Sequence, residues 1–184
     1  MSIPIATNPW ANDPTGAFAG IGQQGPVWFL GGSLGDSFTR SVTIPSNVSV
    51  FLPVHPWIFG ATVFDCAPSV PDVSCDVPSL RASAAAAAGA VTTIEIVIDG
   101  RMITNPTAYR ALSPSTFDVT VPDDNIAAFF GADVPAGTYG PQVSDGYYLM
   151  LRPLDSGVHS IWVHVVSSLN GGFEYDHVYD ITVP

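Results

Sequence analysis

The stretch "GVHSIWVHVVSSLNGGFEYDHVYDITV", residues 157–183, predicts a β-hairpin and with it the fold class. Two runs rich in β-branched and aromatic residues, 158–166 and 173–183, flank a loop that contains two adjacent glycines. In the second run the odd positions from 175 to 183 are mostly apolar, whereas the even positions include three acids. Because side chains alternate across a strand, we expect the odd positions to face a core and the even positions to face solvent.

The same alternation predicts how the two strands pair. The odd positions are also the more apolar ones in the first run, so pairing the two apolar faces sets the register. His164 then lies opposite Asp176, Glu174 lies diagonally, and Trp162 lies near Val178. The sequence therefore predicts one outer surface that carries a tryptophan, a histidine and carboxylates.

Two other histidines belong to different faces. His159 and His164 differ by an odd number of residues, so without a bulge they point to opposite sides of the sheet. His177 falls on the core side, where we expect a hydrogen bond to hold it, with a tyrosine hydroxyl as the candidate partner.

The rest of the chain repeats this strand-and-turn pattern. We predict an all-β protein, an antiparallel two-sheet sandwich of jelly-roll or immunoglobulin-like kind with one or two short helices. Residues 1–25 would form an irregular N-terminal arm, and residues 26–184 a single domain. The other predicted strands are 27–30, 37–44, 48–54, 92–99, 117–121 and 146–153, and the predicted helices are 79–89, with Ser79 as its cap, and 123–132.

Composition limits the partners. The 184 residues include 16 acids and only five basic residues, all arginine, for a formal net charge of −11. Such a surface repels nucleic-acid phosphates and anionic lipid, and no apolar run is long enough to span a bilayer. Neutral hydroxyl-rich ligands and divalent cations remain open as partners, so polysaccharide or self-assembly is the partner that we expect.

The two cysteines indicate a compartment. Cys66 and Cys75 are separated by eight residues rich in proline and aspartate, a spacing that suits a disulfide in a surface loop. A disulfide predicts an extracellular or periplasmic location. The N-terminus has neither the basic nor the apolar region of a signal peptide, so a secreted protein would be present here in its mature form. Two unrelated reduced thiols are the alternative.

The outer face of the hairpin is the predicted site. As a ligand platform, Trp162 would stack on a sugar ring, while His164, Asp176 and Glu174 would hydrogen-bond its hydroxyls. Trp57, in a segment after a predicted strand, could approach the same ligand from a loop. The alternative is that this face simply packs under a loop or under the N-terminal arm.

A metal site is the second hypothesis. His164 could bind an ion together with Asp176 and Glu174, since one histidine with two carboxylates is the composition of some metal sites, or together with Asp176 and His55, which a loop would have to bring close. No cofactor is certain, and the candidate ions are Ca²⁺ or a transition metal. In that case the protein would be a metal-dependent jelly-roll enzyme.

A small serine esterase is the third hypothesis. The segment "GGSLG", residues 31–35, matches the G-x-S-x-G pattern and contains Ser33, and Ser37 follows it. His177 or His159 would act as the base. A nucleophile elbow leads into a helix, however, whereas the residues that follow are β-branched and end in proline, which favours a glycine-rich turn.

Five segments carry a resemblance, namely "GPVWFLGG", "VPSLRA", "TIEIVIDG", "PAGTYGPQVSDGYYLML" and "LDSGVHSIWV". Together they resemble a group of uncharacterised, mostly secreted bacterial β-rich proteins over most of the chain. The resemblance implies export and a sandwich fold, and it carries no activity. The leading expectation is therefore a secreted, non-enzymatic β-sandwich that binds neutral glycan or builds extracellular structure.

Overall fold

A computed structural model describes residues 3–60, 76–127 and 131–184. Over these residues, two five-stranded sheets pack as a sandwich-like all-β fold with one α-helix, so the predicted fold class is confirmed. The helix, α1, spans Val77–Gly89. The strands are β1 (Val27–Phe29), β2 (Phe38–Thr43), β3 (Ser49–Gly60), β4 (Val91–Ile98), β5 (Arg101–Met102), β6 (Arg110–Leu112), β7 (Phe117–Val121), β8 (Gly137–Leu151), β9 (Gly157–Ser167) and β10 (Phe173–Val183).

The strand order places the hairpin at the centre of one sheet. Sheet 1 has the order β1-β3-β8-β6, and β7 also pairs with β8. Sheet 2 has the order β2-β10-β9-β4-β5, so β9 and β10 both have neighbours on each side. The strands of the hairpin are therefore held on both edges by backbone hydrogen bonds.

Two edges differ from a purely antiparallel arrangement. β1 pairs with β3 in parallel, and β2 pairs with β10 in parallel. The short segment between β2 and β3 looks like a hairpin turn in the sequence, yet it carries the chain from sheet 2 to sheet 1. Ile44, at the start of this crossing, is only 1 % exposed, so burial of its side chain between the sheets accompanies the change of sheet.

The core lies between the two sheets. As predicted, every odd position of β10 from Tyr175 to Val183 is buried. Facing residues from both sheets form one continuous cluster, whose most buried members are Leu30, Ile44, Val50, Leu52, Val54, Ile96, Ile161, Val163, Val165, Tyr179 and Ile181. Each sheet consequently has one covered face and one outer face.

A bulge in β3 changes which side chains face inward. The pairing of β3 with β8 shifts between Pro53 and His55. Even-numbered residues such as Leu52 face the core before the shift, whereas His55, Trp57 and Phe59 face inward after it. β3 continues to Gly60, well past the predicted end at residue 54, because its pairing with β8 resumes after the bulge and runs on to Gln142.

Helix α1 covers the far end of sheet 1. Leu80 and Ala84 pack against Val143 of β8, beyond the region that sheet 2 covers. A bidentate ion pair between Arg110 and Asp145, at 2.9 and 2.8 Å, also reaches the helix, because the same guanidinium donates to the carbonyl oxygen of Ala85.

Both predicted helices need correction. In α1 the capping side chain is Asp76, which accepts a hydrogen bond from the Ser79 backbone N–H at 2.7 Å, so the helix begins before Ser79. The described part of 123–132 contains no α-helix. There the Asn125 side chain bonds the carbonyl oxygens of Pro122 and Val134, and local bonds of this kind compete with helical ones.

Candidate functional site

The hairpin pairs in the predicted register. Asp176 lies opposite His164, and Val178 lies opposite Trp162, within an unbroken antiparallel ladder from Phe173 to Val183. Glu174 is two residues from Asp176 on the same strand and therefore on the same face. These four side chains, Trp162, His164, Glu174 and Asp176, are called the hairpin patch below.

One carboxylate oxygen organises the hairpin patch. Asp176 Oδ1 accepts hydrogen bonds from Trp162 Nε1 at 3.0 Å and from His164 Nδ1 at 3.2 Å. The two rings lie nearly parallel, with an interplanar angle of 12° and centroids 5.8 Å apart. Ligand atoms of His164, Glu174 and Asp176 all lie within 4.8 Å of one another. The aromatic rings are thus fixed in orientation, and a carboxylate pair stands beside them.

The hairpin patch is accessible but not fully exposed. The side chain of Asp176 is 44 % exposed and that of His164 is 19 % exposed, while Trp162 is half-buried and Glu174 is exposed. Trp10, which an N-terminal arm could have laid over this face, lies against Gly32 instead. Trp10 therefore does not cover the hairpin patch, and the patch is open to a ligand.

A further carboxylate adjoins the hairpin patch. Glu95 of β4 lies directly opposite His164 on the strand edge away from Asp176, and it is exposed. The alternation of 92–99 already places Glu95 on an outer face, but the neighbour of β4 cannot be predicted from the sequence. His164 consequently has an acidic residue on each flanking strand.

His55 and Trp57 do not belong to this surface, which corrects both assignments. His55 is 3 % exposed and lies on the inner side of sheet 1. Tyr175 donates its single hydroxyl proton to the Val54 carbonyl oxygen at 2.8 Å, so His55 Nδ1 must donate to the tyrosine oxygen at 2.8 Å. His55 Nε2 accepts from Trp57 Nε1, also at 2.8 Å.

Both nitrogens of His55 are therefore engaged in a neutral imidazole. Burial lowers the pKa of His55 to about 4, in agreement with that hydrogen-bond pattern. His164 projects from the opposite side of sheet 2, so His55 cannot share a metal ion with it. The bulge in β3 is the physical reason, because it turns His55 into the core.

Trp57 lines a separate open cleft of about 390 Å³. The cleft lies between the end of β3, helix α1 and the loop after β9, and none of the described residues that line it is charged. The residues that line it are Trp57, Ile58, Phe59, Ser83, Ala86, Ala87, Leu169 and Asn170.

Ser33 and His177 are in direct contact. Ser33 Oγ lies 3.0 Å from His177 Nε2, so the predicted tyrosine partner of His177 was wrong and a serine takes its place. Ser33 donates its own proton to the Asp36 carbonyl oxygen at 2.6 Å. His177 Nε2 must then donate to Ser33, and a protonated nitrogen cannot accept the proton of a nucleophile.

The surroundings of His177 also disfavour catalysis. Its ring lies between the rings of Phe38 and Tyr175, with centroids at 4.1 and 4.4 Å. Burial, followed by the positive charge of Arg40, lowers the pKa of His177 to about 3. An imidazole with so low a pKa is a weak base at neutral pH, so the contact with Ser33 is a structural hydrogen bond.

Ser37 and His159, the other esterase candidates, are held apart. Ser37 Oγ accepts the backbone N–H of Asp176 at 2.9 Å. His159 Nδ1 donates to the Asp99 carboxylate at 2.8 Å, and Nε2 donates to the Asp155 carbonyl oxygen at 2.9 Å. The bond to Asp99 is the main reason that the pKa of His159 is raised.

Cys66 and Cys75 lie outside the described residues, so the disulfide between them stays a prediction. Within the described residues, no helix is both long and apolar enough to cross a bilayer.

Acidification is expected to destabilise the protein through the two inner histidines. Their folded pKa values, about 4 for His55 and about 3 for His177, lie below the unfolded value of 6.5, so the unfolded chain takes up protons first. The contribution of each neutral imidazole to the free energy of unfolding is fully present above pH 6.5. By pH 4 the free energy of unfolding falls by about 3 kcal/mol for each imidazole.

Urea unfolding between pH 7 and pH 4 measures this loss. His177→Phe keeps the ring between its neighbours and should reduce the pH dependence, whereas His164→Gln controls for removal of an imidazole from the outer face. An unchanged pH dependence in His177→Phe would contradict the assignment.

Ser33 is expected not to react with a fluorophosphonate, because its proton is donated to the Asp36 carbonyl oxygen. Intact-mass measurement after incubation should show no adduct on Ser33, and Ser33→Ala should be indistinguishable from the wild type. An adduct that disappears in Ser33→Ala would restore the esterase hypothesis.

No protein-family model, no curated protein and no solved structure matches the chain. Its function therefore has to be inferred from the arrangement of its own side chains.

Proposed function

We propose that the protein is a non-catalytic, extracellular binding module whose hairpin patch binds a neutral glycan. The observation that carries this proposal is the double hydrogen bond to Asp176 Oδ1, which holds Trp162 and His164 side by side on an outer face. A ring fixed in this way loses little conformational freedom when a ligand stacks on it.

The chemistry of the hairpin patch suits a sugar. An indole ring presents an apolar face to the C–H groups of a pyranose, while carboxylate oxygens accept hydrogen bonds from its hydroxyls. Asp176 and Glu174 supply such acceptors next to Trp162. The site therefore combines one apolar surface with several polar acceptors within a few ångströms.

The charge of the chain favours a neutral ligand. The formal net charge is −11, and the hairpin patch itself contains two carboxylates. An anionic polysaccharide would be repelled by this field, whereas a neutral one would not. An extracellular location belongs to the proposal because polysaccharides of this kind are found outside the cell.

Trp162→Ala is expected to reduce retention on neutral polysaccharide by about tenfold or more, because the stacking surface is lost. Affinity electrophoresis across a panel of insoluble and soluble polysaccharides measures the effect. Val158→Thr is the matched control, since Val158 is 81 % exposed on the same face of the same strand.

Two results would refute the glycan proposal. One is retention by no neutral polysaccharide in the panel, and the other is equal retention of Trp162→Ala and wild type. Circular dichroism of the variant confirms that the fold is intact before either result is interpreted.

Self-assembly is a second candidate function, favoured by the outer face of sheet 1. Phe29, Phe51 and Met150 lie in register on three adjacent strands, and Tyr148 stacks on Phe51 at 5.7 Å. Phe29 is 53 % and Met150 is 58 % exposed. Exposed apolar rows of this kind mark association surfaces. Because this row carries no charge, two copies of the acidic chain could meet there without bringing carboxylates together.

A double variant, Phe29→Asp with Met150→Asp, should be monomeric where the wild type forms dimers, because buried carboxylates would repel across the interface. Sedimentation velocity over a range of protein concentrations measures this. Val158→Asp places a charge on the other sheet and should leave the dimer unchanged. A monomeric wild type would exclude the assembly role.

A further inference from the structure

We propose that His164, Glu174 and Asp176 form a binding site for one divalent transition-metal ion. The inference goes beyond glycan binding, because an ion held at this point requires no second ligand. Of the two ligand sets that the sequence left open, it takes the one with Glu174 and drops the one with His55.

The positions of the donors support a site. One ring nitrogen of His164 and one oxygen each from Glu174 and Asp176 lie within 4.8 Å of one another. Ligands at about 2.0 to 2.2 Å from a common ion are separated by up to about 4.4 Å, so small side-chain rotations suffice. Both strands are paired on each edge, and the backbone that presents the donors is therefore rigid.

The local charge also favours a cation. The only ion pair within the hairpin patch, over the described residues, is that between His164 and Asp176. Glu95 adds a carboxylate on the neighbouring strand. On this face of β2, β10, β9 and β4, no position in the described register carries lysine or arginine. Excess negative charge at His164 is thus not neutralised by a protein cation.

The donor set selects the class of ion. Ca²⁺ and Mg²⁺ prefer oxygen ligands alone, whereas an imidazole nitrogen with two carboxylate oxygens suits Zn²⁺, Ni²⁺ or Cu²⁺. Three protein ligands leave further positions for water. Asp176 would exchange its hydrogen bond with His164 for a shared bond to the ion, and Trp162 would lie directly beside the occupied site.

Isothermal titration of Zn²⁺ and Ni²⁺ into the full-length, chelator-treated protein tests the site. The wild type should bind one ion per chain, and His164→Gln, Glu174→Gln and Asp176→Asn should each weaken binding by about tenfold or more. Asp180→Asn is the matched control, because it removes the same charge from the same face of β10, outside the cluster.

Trp162 offers a second, local readout. Cu²⁺ bound at the hairpin patch should quench tryptophan fluorescence, and Trp162→Phe should abolish that quenching while leaving the titration stoichiometry unchanged. Quenching that persists in Trp162→Phe would place the ion near another tryptophan.

Two outcomes overturn the proposal. One is the absence of stoichiometric binding in the wild type, and the other is equal binding by wild type and by the double variant His164→Gln with Asp176→Asn, which would locate the ion elsewhere, for example at the cysteines. The titrations contain no glycan. Failure of the metal site is therefore distinguishable from failure of glycan binding, which is measured in the presence of chelator.

Discussion

The antiparallel ladder between β9 and β10 is the constraint on which the rest of this structure depends. Its register pairs Asp176 with His164, and the alternation of side chains then sends His177 to the inside of the sandwich. A slip of β10 by one residue would exchange its two faces, burying the three carboxylates of Glu174, Asp176 and Asp180 and exposing an apolar row. The register that buries the core residues of the hairpin therefore also fixes the position of the hairpin patch.

The four histidines illustrate how environment separates chemically identical side chains. His55 and His177 are buried and neutral: His55 forms hydrogen bonds through both nitrogens, one of them to Tyr175 of the other sheet, and His177 bonds Ser33 through Nε2. His159 donates from both nitrogens to acceptors that cannot donate in return, which corresponds to an imidazolium. His164 is partly exposed and lies beside two carboxylates, those of Asp176 and Glu174, and for this reason the functional proposals converge on it.

Local patterns predicted the four residues of the hairpin patch but not which other residues lie beside them. Alternation along two strands was sufficient to place Trp162, His164, Glu174 and Asp176 on one face, because a hairpin with a short loop has few registers that match two apolar faces. Alternation could not place Glu95, since the neighbour of β4 is set by sheet topology. His55 was expected in a loop after a strand that ends at residue 54, whereas β3 continues through it and the bulge next to Pro53 turns it inward; proline inside a strand is a local signal for such a bulge.

The sequence by itself determined the fold class, the hairpin register and an acidic character, with a formal net charge of −11, that disfavours phosphate-rich partners. These features depend on side-chain periodicity and composition, which are local or additive. Only the tertiary structure decided that β2 and β3 belong to different sheets, that Ser33 bonds His177 and that His55 lies far from His164. Each of these depends on contacts between residues distant in the chain, and such contacts are fixed by how the two sheets share one core.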